Sequence, residues 1–316
     1  METAAGIRNR DVSVRSRPSS LLARAAGHGC VALLTLIRGL PAGVTAALLY
    51  PLLPIYPLLR PAHAARLRAC FAAAPCAHGL TLGGYYQTRL RLILLGLKSH
   101  GRGNPPATDP GATTMEGLEI YRAALAADRP VALIGCHAGL LEDLHRVPPK
   151  PDGRPFRILT APAFSPPLTA FMARGREQDG KEILWIGNGT RGLEAGLRHL
   201  ISAKGVLALM ADQHPGRPED CGWLSLWGKV QAPYPARLLR FLAEREFLFV
   251  PVSARLEAYG SASFRFHAAW DFRDGPTGPD VGLEARIGRR VRGFLETVIA
   301  DAPDQWNWSY PKIRPQ

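Results

Sequence analysis

The stretch PVALIGCHAGLLEDLHR, residues 130–146, carries the first indication of the fold. Its first six residues are apolar and are bounded by proline and glycine, which predicts a buried β-strand. A helix is expected to follow near residues 139–146. His137 then stands at the carboxyl end of the strand, where ligand-binding and catalytic groups collect in open α/β sheets. The stretch therefore predicts a strand–helix unit with a polar site at its junction.

The alternation of strands and helices continues along the chain. The predicted strands cover residues 156–160, 182–186, 206–211, 247–256 and 263–269, and the predicted helices cover residues 115–127, 166–177, 193–203, 234–245 and 281–300. Strands that alternate with helices in this way predict a single α/β sandwich.

The N-terminal part differs in composition. Residues 1–24 are rich in arginine and serine and predict a disordered basic tail. Residues 25–60 are mostly apolar, and the uncharged residues 39–59 are long enough to cross a bilayer, although three prolines interrupt their C-terminal half. We expect a membrane anchor or a helix lying in the membrane interface, with a buried core helix as the alternative. The preceding arginines predict a cytoplasmic N-terminal side.

The chain is strongly basic. Its formal net charge is +13, and only six residues are lysine, so arginine carries most of the positive charge. One explanation is an anionic partner, such as a phospholipid surface, nucleic acid, or an acidic substrate or carrier protein. The other is a compositional bias.

The five cysteines form no C-x-x-C pair, which argues against a disulfide framework or a zinc finger and suits a reducing compartment.

His137 and Glu142 form the first candidate site. An acid in the first turns of the following helix can fold back to one imidazole nitrogen, fix the tautomer and raise the basicity of the other nitrogen. Asp143 would point about 100° away around the helix, so Glu142 is the better partner. A metal site would need His137 and His145 with an acid between them, but no further ligand pair is evident, and no metal is expected.

Residues 187–192, GNGTRG, form a rival site. They match the pattern G-x-G-x-x-G, follow a predicted strand and open a predicted helix, and Asp212 lies 20 residues beyond Gly192. This is the layout of a dinucleotide-binding fingerprint, so an NAD(P)-dependent oxidoreductase is an alternative function. A glycine-rich turn before a helix is the simpler interpretation.

A third hypothesis is a basic protein that binds membranes or nucleic acid without catalysis.

Two further clusters have both structural and functional interpretations. Arg174 and Arg176 could bind phosphate or stabilise an oxyanion, or form a solvated basic face. In the C-terminal stretch QWNWSYPKIR, residues 305–314, aromatic residues alternate with polar residues, and basic residues follow them. It is typical either of core packing or of an aromatic belt at a membrane interface.

The order of these motifs resembles a known family. After the apolar N-terminal segment come His137-x4-Glu142, FSPPL at residues 164–168, ARGRE at residues 173–177, ADQ at residues 211–213 and PDQWNW at residues 303–308. This order resembles the late acyltransferases of lipid A biosynthesis, of the lauroyl and myristoyl acyltransferase type, within the lysophospholipid acyltransferase-like superfamily. The resemblance implies an α/β sandwich with a mixed central sheet flanked by helices, preceded by an N-terminal membrane-associating helical segment.

The resemblance also implies the function. The enzyme would move a fatty acyl chain from an acyl carrier protein thioester to a hydroxyl of a lipid A precursor or related glycolipid, at the cytoplasmic face of the bacterial inner membrane. It would use no cofactor and bind no nucleic acid. The implied organisation is a basic tail (1–24), a membrane-associating segment (25–60), a helical region with a linker (61–114) and a catalytic α/β domain (115–316).

The family motifs can be carried over to individual positions. His137 would be the general base, oriented by Glu142. The residues that would bind substrate are Arg174, Arg176, Arg191, Asp212 and Gln213. Of these, Arg174 and Arg176 would bind the acceptor's phosphate or the oxyanion. The glycines at residues 187–192 become a turn into the helix that carries Arg191.

Overall fold

The computed structural model describes residues 21–99, 113–140, 153–163, 165–177, 181–186, 190–213, 218–257, 261–273 and 282–316. The first of these segments is helical. Its helices are α1 (Leu21–Gly39), α2 (Ala42–Leu49), α3 (Ile55–Leu59), α4 (Pro61–Ala73) and α5 (Leu82–Ser99). Prolines set the breaks between helices: Pro51 lies in a 3₁₀ turn between α2 and α3, and Pro61 is the first residue of α4.

The rest of the described chain alternates strands and helices. The strands are β1 (Thr114–Glu116), β2 (Val131–Gly135), β3 (Phe156–Thr160), β4 (Glu182–Trp185), β5 (Val206–Met210), β6 (Gly222–Leu226), β7 (Val230–Tyr234), β8 (Leu248–Leu256), β9 (Ala262–Phe266) and β10 (Arg314–Pro315). The helices are α6 (Leu118–Ala126), α7 (Pro166–Arg176), α8 (Thr190–Ser202), α9 (Ala236–Glu244) and α10 (Leu283–Asp301).

The predicted elements of this part are confirmed, with ends that differ by at most three residues. The helix predicted near residues 139–146 lies mostly outside the described residues. Strand β1 was not predicted, and its last two residues fall at the start of the helix predicted over residues 115–127. Strands β6, β7 and β10 were not predicted either. They form a separate antiparallel sheet, in the order β10-β7-β6, and a turn at Trp227 and Gly228 joins β6 to β7.

Within the described residues, seven strands form the central sheet in the order β1-β9-β8-β2-β5-β3-β4. Strands β8 and β9 are antiparallel, whereas the other neighbours are parallel, so the predicted mixed sheet is confirmed. Strands β2 and β5 lie side by side in the middle. Their register pairs Gly135 with Met210, and both strands therefore end at the same edge of the sheet.

Helices cover both faces of this sheet. Along β2, Ala132 and Ile134 belong to one hydrophobic cluster, whereas Val131 and Leu133 belong to a second cluster that includes Tyr121 of α6. This alternation is the one expected for a strand that is buried on both faces. The predicted α/β sandwich is thus confirmed.

The N-terminal helices share the larger of these clusters. Leu67 and Phe71 of α4 and Tyr85 of α5 pack in it together with Trp306 and Trp308 near the C-terminus. Phe71 contacts both the Tyr85 ring and the Trp308 ring edge to face, at centroid distances of 5.5 and 5.6 Å. The helical region and the α/β part are therefore packed into one core.

Helices α1 to α3 also expose large apolar side chains. We call these the N-terminal apolar surface; they are Leu33, Leu36, Val44, Leu48, Leu52, Ile55, Leu58 and Leu59. Among the described residues, no helix combines the length and hydropathy needed to span a bilayer. On its inner side α1 is close to α7, where Gly27 lies so near Ser165 that a side chain would clash with the hydroxyl.

Candidate active site

The register of the two central strands brings His137 and Asp212 together. Because Gly135 is paired with Met210, the residues two positions further along each strand meet at the same edge of the sheet. Asp212 Oδ1 lies 2.8 Å from His137 Nδ1. The main-chain N–H of His137 also donates to the same carboxylate, with an N–Oδ2 distance of 2.9 Å. One carboxylate therefore holds both the ring and the backbone of the histidine.

The Asp212 carboxylate is buried, with its side chain 2% exposed, whereas the His137 side chain is 36% exposed. The indole N–H of Trp306 donates to Asp212 Oδ2 at 2.8 Å. Burial alone would raise the pKa of Asp212, but the attraction of His137 and the hydrogen bonds from His137 and Trp306 outweigh it and leave the pKa below its ordinary value. Asp212 is therefore an anion at neutral pH.

An anionic carboxylate only accepts hydrogen bonds, so the contact with Asp212 assigns the proton to Nδ1 of His137. The lone pair of the neutral imidazole then lies on Nε2. A buried negative charge next to Nδ1 also stabilises the imidazolium that forms when Nε2 accepts a proton. This arrangement would allow His137 to act as a general base, with Asp212 as the acid that orients it.

A C-terminal strap, which we define as residues 305–313, fixes the histidine from the other side. The main-chain N–H of Asn307 donates to the His137 carbonyl at 2.9 Å, and Trp306 forms a bridge with Ala138. The ring of Tyr310 is stacked with the imidazole, at a centroid distance of 6.5 Å and an interplanar angle of 9°. The Trp-containing tail is therefore part of the site, in addition to its role in core packing.

Gly139 allows the chain to pass close to β8. It has a positive φ of 60°, and a Cβ there would lie 2.1 Å from the carbonyl oxygen of Ala254. Its N–H donates to the carbonyl of Gln305, at 3.3 Å. The Gln305 side chain in turn bonds both main-chain groups of Leu256, at 2.7 and 3.0 Å. The strap is thus tied to the sheet as well as to the histidine.

Arg66 of α4 holds the distal part of the strap. Its guanidinium donates to four main-chain carbonyls, those of Trp308, Ser309, Tyr310 and Ile313. Guanidinium has five N–H donors in a planar fork, which suits it to bond several carbonyls at once. One side chain of the helical region therefore fixes the turn that carries Tyr310.

Two residues of α5 contact the same strap. The Tyr85 hydroxyl accepts a hydrogen bond from the N–H of Ser309, at 2.9 Å, and contacts the Ser309 hydroxyl at the same distance. Arg89 donates to the Gln305 carbonyl, at 3.5 Å. Burial lowers the pKa of Arg89, and the nearby Tyr85 and Asp212 oppose that effect. The surroundings of the His137–Asp212 pair thus include a partly buried positive charge.

Residues close to Asp212 in the chain line an apolar cavity of about 340 Å³. Gln213, which directly follows Asp212, and Met210 at the end of β5 both line it. Its other walls come from β3, α8, α9 and neighbouring residues: Leu159, Ile186, Leu193, Glu194, Leu197, Leu209, Asp220, Pro235, Arg237, Leu238 and Phe241. Its volume lies within the range of small-molecule sites, and its walls are mainly aliphatic.

The other predicted site residues are placed less completely. Arg174 is exposed on α7. Arg176 lies in α7 and Arg191 in α8, but their side chains are outside the described part of the chain. Glu142 and His145 lie outside it as well. The role of Glu142 as the orienting acid therefore stays a prediction, whereas Asp212, predicted to bind substrate, is the acid bonded to His137 Nδ1.

Other chemistry can be assessed at the same site. Cys136, next to His137, is buried, and burial raises the pKa of its thiol well above the usual value. It is therefore held as a neutral thiol. Within the described residues, no group of three His, Cys, Asp or Glu side chains is arranged to hold a metal ion.

Comparison with protein families identifies the chain. Residues 107–314 match the family described as bacterial lipid A biosynthesis acyltransferase. The chain belongs to this family. The match covers well over half of the 316 residues and includes His137, Asp212 and the strap up to Ile313. A search among curated proteins found no match.

Membership of this acyltransferase family confirms the resemblance and shows that the protein is an enzyme of lipid A biosynthesis. The oxidoreductase alternative is therefore wrong. The geometry agrees: the carboxylate that would bind a nucleotide ribose, that of Asp212, is buried against His137 and Trp306.

Proposed function

We propose that this acyltransferase moves a fatty acyl chain from an acyl carrier protein thioester to a hydroxyl group of a lipid A precursor or a related glycolipid. The observation that carries the proposal is the His137–Asp212 pair, together with an apolar cavity lined by the adjacent residue Gln213, in a chain of this family. A thioester donor and a hydroxyl acceptor need a base that activates the hydroxyl and a slot that holds the chain.

In the proposed reaction, Nε2 of His137 takes the proton of the acceptor hydroxyl while that oxygen attacks the thioester carbonyl carbon. A C–O bond forms and the carbonyl oxygen becomes an oxyanion. When the oxyanion collapses, the C–S bond breaks and the thiolate takes the proton from the imidazolium. Asp212 stays ionised throughout, because its lowered pKa keeps it an anion beside the positively charged ring.

The cavity between α8 and α9 would hold the acyl chain. Aliphatic walls favour a hydrocarbon chain because burial removes apolar surface from water, at about 0.8 kcal/mol for each CH₂ group. Gln213 lines this cavity and directly follows Asp212 in the chain, so a chain in the cavity would present its carboxyl end near His137.

Further site residues enter the proposal by their positions in the family motifs. Glu142 is proposed as a second acid that supports His137. Arg174 and Arg176 are proposed to bind the acceptor's phosphate or the oxyanion, with Arg191 close to the substrate. The exposure of Arg174 on α7 is compatible with a contact to a bound anion.

We propose that the enzyme acts at the cytoplasmic face of the bacterial inner membrane. The N-terminal apolar surface supports this location, because exposed leucines on consecutive helices are typical of helices that lie in a membrane interface. The net charge of +13 would attract both anionic lipids and an acidic carrier protein.

Mass spectrometry tests the proposed reaction. Purified protein is incubated with a lipid A precursor and either an acyl carrier protein thioester or the coenzyme A thioester of the same chain. We expect the precursor to gain one acyl chain, faster with the carrier protein thioester. Acylation from coenzyme A alone would remove the carrier protein from the proposal, and no acylation of a hydroxyl from either donor would remove the reaction.

A further inference from the structure

A second cavity, of about 540 Å³, opens between α5 and the turn before the strap. We call it the α5 groove. Its walls include Tyr50, His78, Thr88, Arg91 and Asp304. It shares no lining residue with the apolar cavity between α8 and α9.

The walls of the α5 groove combine positive, negative and neutral polar groups. Arg91 and His78 are exposed. Thr88 and Arg91, three residues apart on α5, share one helix face. The Thr88 hydroxyl donates to Asp304 Oδ2, at 2.9 Å. A ligand that carries both an anion and hydroxyl groups matches this set, because guanidinium binds phosphate and carboxylate accepts hydroxyl protons.

One wall residue of the α5 groove, Asp304, directly precedes the strap in the chain. Asp304 precedes Gln305, whose carbonyl accepts from Arg89 and from the N–H of Gly139. Trp306, which bonds Asp212, is only two residues from Asp304, so their Cα atoms lie within about 7 Å of each other. A ligand in the groove would therefore lie next to the strap that holds His137.

The α5 groove also reaches the N-terminal apolar surface. Tyr50 lines the groove and lies in the turn between α2 and α3. Leu48, Leu52 and Ile55, on either side of it in the chain, are exposed apolar residues. A lipid whose chains lie against this surface would therefore place its polar headgroup at the groove.

We propose that the α5 groove binds the phosphorylated saccharide headgroup of the acceptor lipid. Arg91 and His78 contact its phosphate, and the Asp304 carboxylate accepts from its hydroxyl groups. This assignment rests on the proposed acyl transfer, since it gives the acceptor a site separate from the cavity assigned to the acyl chain. It adds a headgroup site on α5 to the arginines of α7.

Arg91→Glu reverses the charge in the α5 groove, and Thr88→Val removes the hydroxyl that bonds Asp304. Arg290→Glu is the matched control, because Arg290 is also exposed but lies far from the groove. It lies 11 residues before the end of α10, the end that leads to Asp304, and is therefore about 16 Å from that end along the helix axis. The assay measures initial rates in detergent micelles while the concentration of the lipid A precursor and that of the acyl carrier protein thioester are varied in turn.

We expect Arg91→Glu to raise the KM for the precursor by about tenfold or more, and to raise it more than the KM for the donor. Thr88→Val should raise it by a smaller factor, and Arg290→Glu should behave like the wild type. A KM for the precursor within twofold of the wild-type value in Arg91→Glu would overturn the proposal. A rise confined to the donor's KM would overturn it too, and would assign the groove to the carrier protein.

Calorimetric titration separates this proposal from the proposed reaction. Glucosamine 1-phosphate and inorganic phosphate are titrated into the wild-type protein and the Arg91→Glu variant. We expect the sugar phosphate to bind the wild type at least tenfold more tightly than it binds the variant, and more tightly than inorganic phosphate binds the wild type. Equal binding to both proteins would overturn the headgroup site even if acyl transfer occurs. If the sugar phosphate binds the wild type selectively but no acyl transfer is observed, the headgroup site is supported and the proposed reaction is contradicted.

Discussion

The carboxylate of Asp212 accepts hydrogen bonds from both the ring and the backbone of His137, at 2.8 Å from Nδ1 and 2.9 Å from the main-chain nitrogen. A third bond, from the indole of Trp306, holds the same carboxylate in place. Because the backbone and the ring are fixed by one buried group, the direction of Nε2 follows from the register of β2 and β5. The imidazole is therefore oriented before any substrate binds.

Asp212→Asn tests this orientation. The amide can donate a hydrogen bond to Nδ1 and so favour the tautomer that carries the proton on Nε2, which cannot act as the base. We expect acyl transfer to fall by roughly 10²-fold to 10⁴-fold. Asp128→Asn, at an exposed residue, serves as the control and should retain activity. Equal rates of wild type and Asp212→Asn would show that Asp212 does not orient the base.

The lowered pKa of Asp212 has a consequence for stability. A carboxyl group that binds its proton less tightly in the folded state stabilises that state above the unfolded pKa of about 3.9, and this contribution is lost as the pH falls through the folded pKa. Urea unfolding of the wild type and Asp212→Asn should therefore show a difference in free energy that shrinks below about pH 4. A difference that stays constant from neutral to acidic pH would contradict this assignment.

Arg66→Ala tests the strap. It would remove the donor that serves four carbonyls, and we expect the free energy of unfolding to fall by about 2 kcal/mol or more because partly buried carbonyls lose their partner. Activity should fall too, since Tyr310 stacks on His137. Arg66→Lys should restore only part of both, because an ammonium lacks the planar fork.

Arg68→Ala is the matched control for Arg66, since Arg68 is exposed on the same helix. It should change neither the stability nor the rate. Chemical denaturation and acyl transfer rates are measured on all four proteins. If Arg66→Ala matches Arg68→Ala in both measurements, the strap does not depend on Arg66.

The apolar cavity should determine the length of the transferred chain. Leu238→Trp fills part of the cavity, so we expect a shift towards shorter acyl chains, whereas Phe241→Ala enlarges it and should favour longer ones. Competition between carrier protein thioesters of different lengths, followed by mass spectrometry of the product, measures the preference. If both variants keep the wild-type distribution, the chain does not lie in this cavity.

The order of elements was predictable because each strand and helix has a local pattern. The apolar run before His137 and the predicted strands and helices from residue 156 onwards match the observed elements to within three residues. The sheet of β6, β7 and β10 was missed for a physical reason: β7 contains Pro233, which is disfavoured in strands, and its partner β10 lies about 80 residues away in the chain. The pairing of β7 with β10 therefore has no local signal.

The site could be predicted only in part, because local patterns indicate single residues but not the contacts between them. His137 could be identified from its place after a strand, and Asp212 likewise ends a strand. Their contact, however, depends on the parallel register of β2 and β5, which joins residues 75 apart in the chain. The hydrogen bonds of Arg66 span more than 240 residues, so nothing near Arg66 in the sequence indicates its role. For Asp212, the available signals were its place at the end of a strand and in the ADQ motif at residues 211–213.

The central claim is that His137 is the base for acyl transfer to a hydroxyl, and one single-turnover measurement tests it most directly. Wild type and His137→Ala, each in excess over a radiolabelled acyl carrier protein thioester, are mixed with a lipid A precursor in micelles, after circular dichroism has shown that both are folded. We expect the wild type to transfer the label to the lipid. With His137→Ala the label should stay largely on the carrier protein, because the rate of transfer is at least roughly 10²-fold lower. Transfer by His137→Ala at the wild-type rate would contradict the claim.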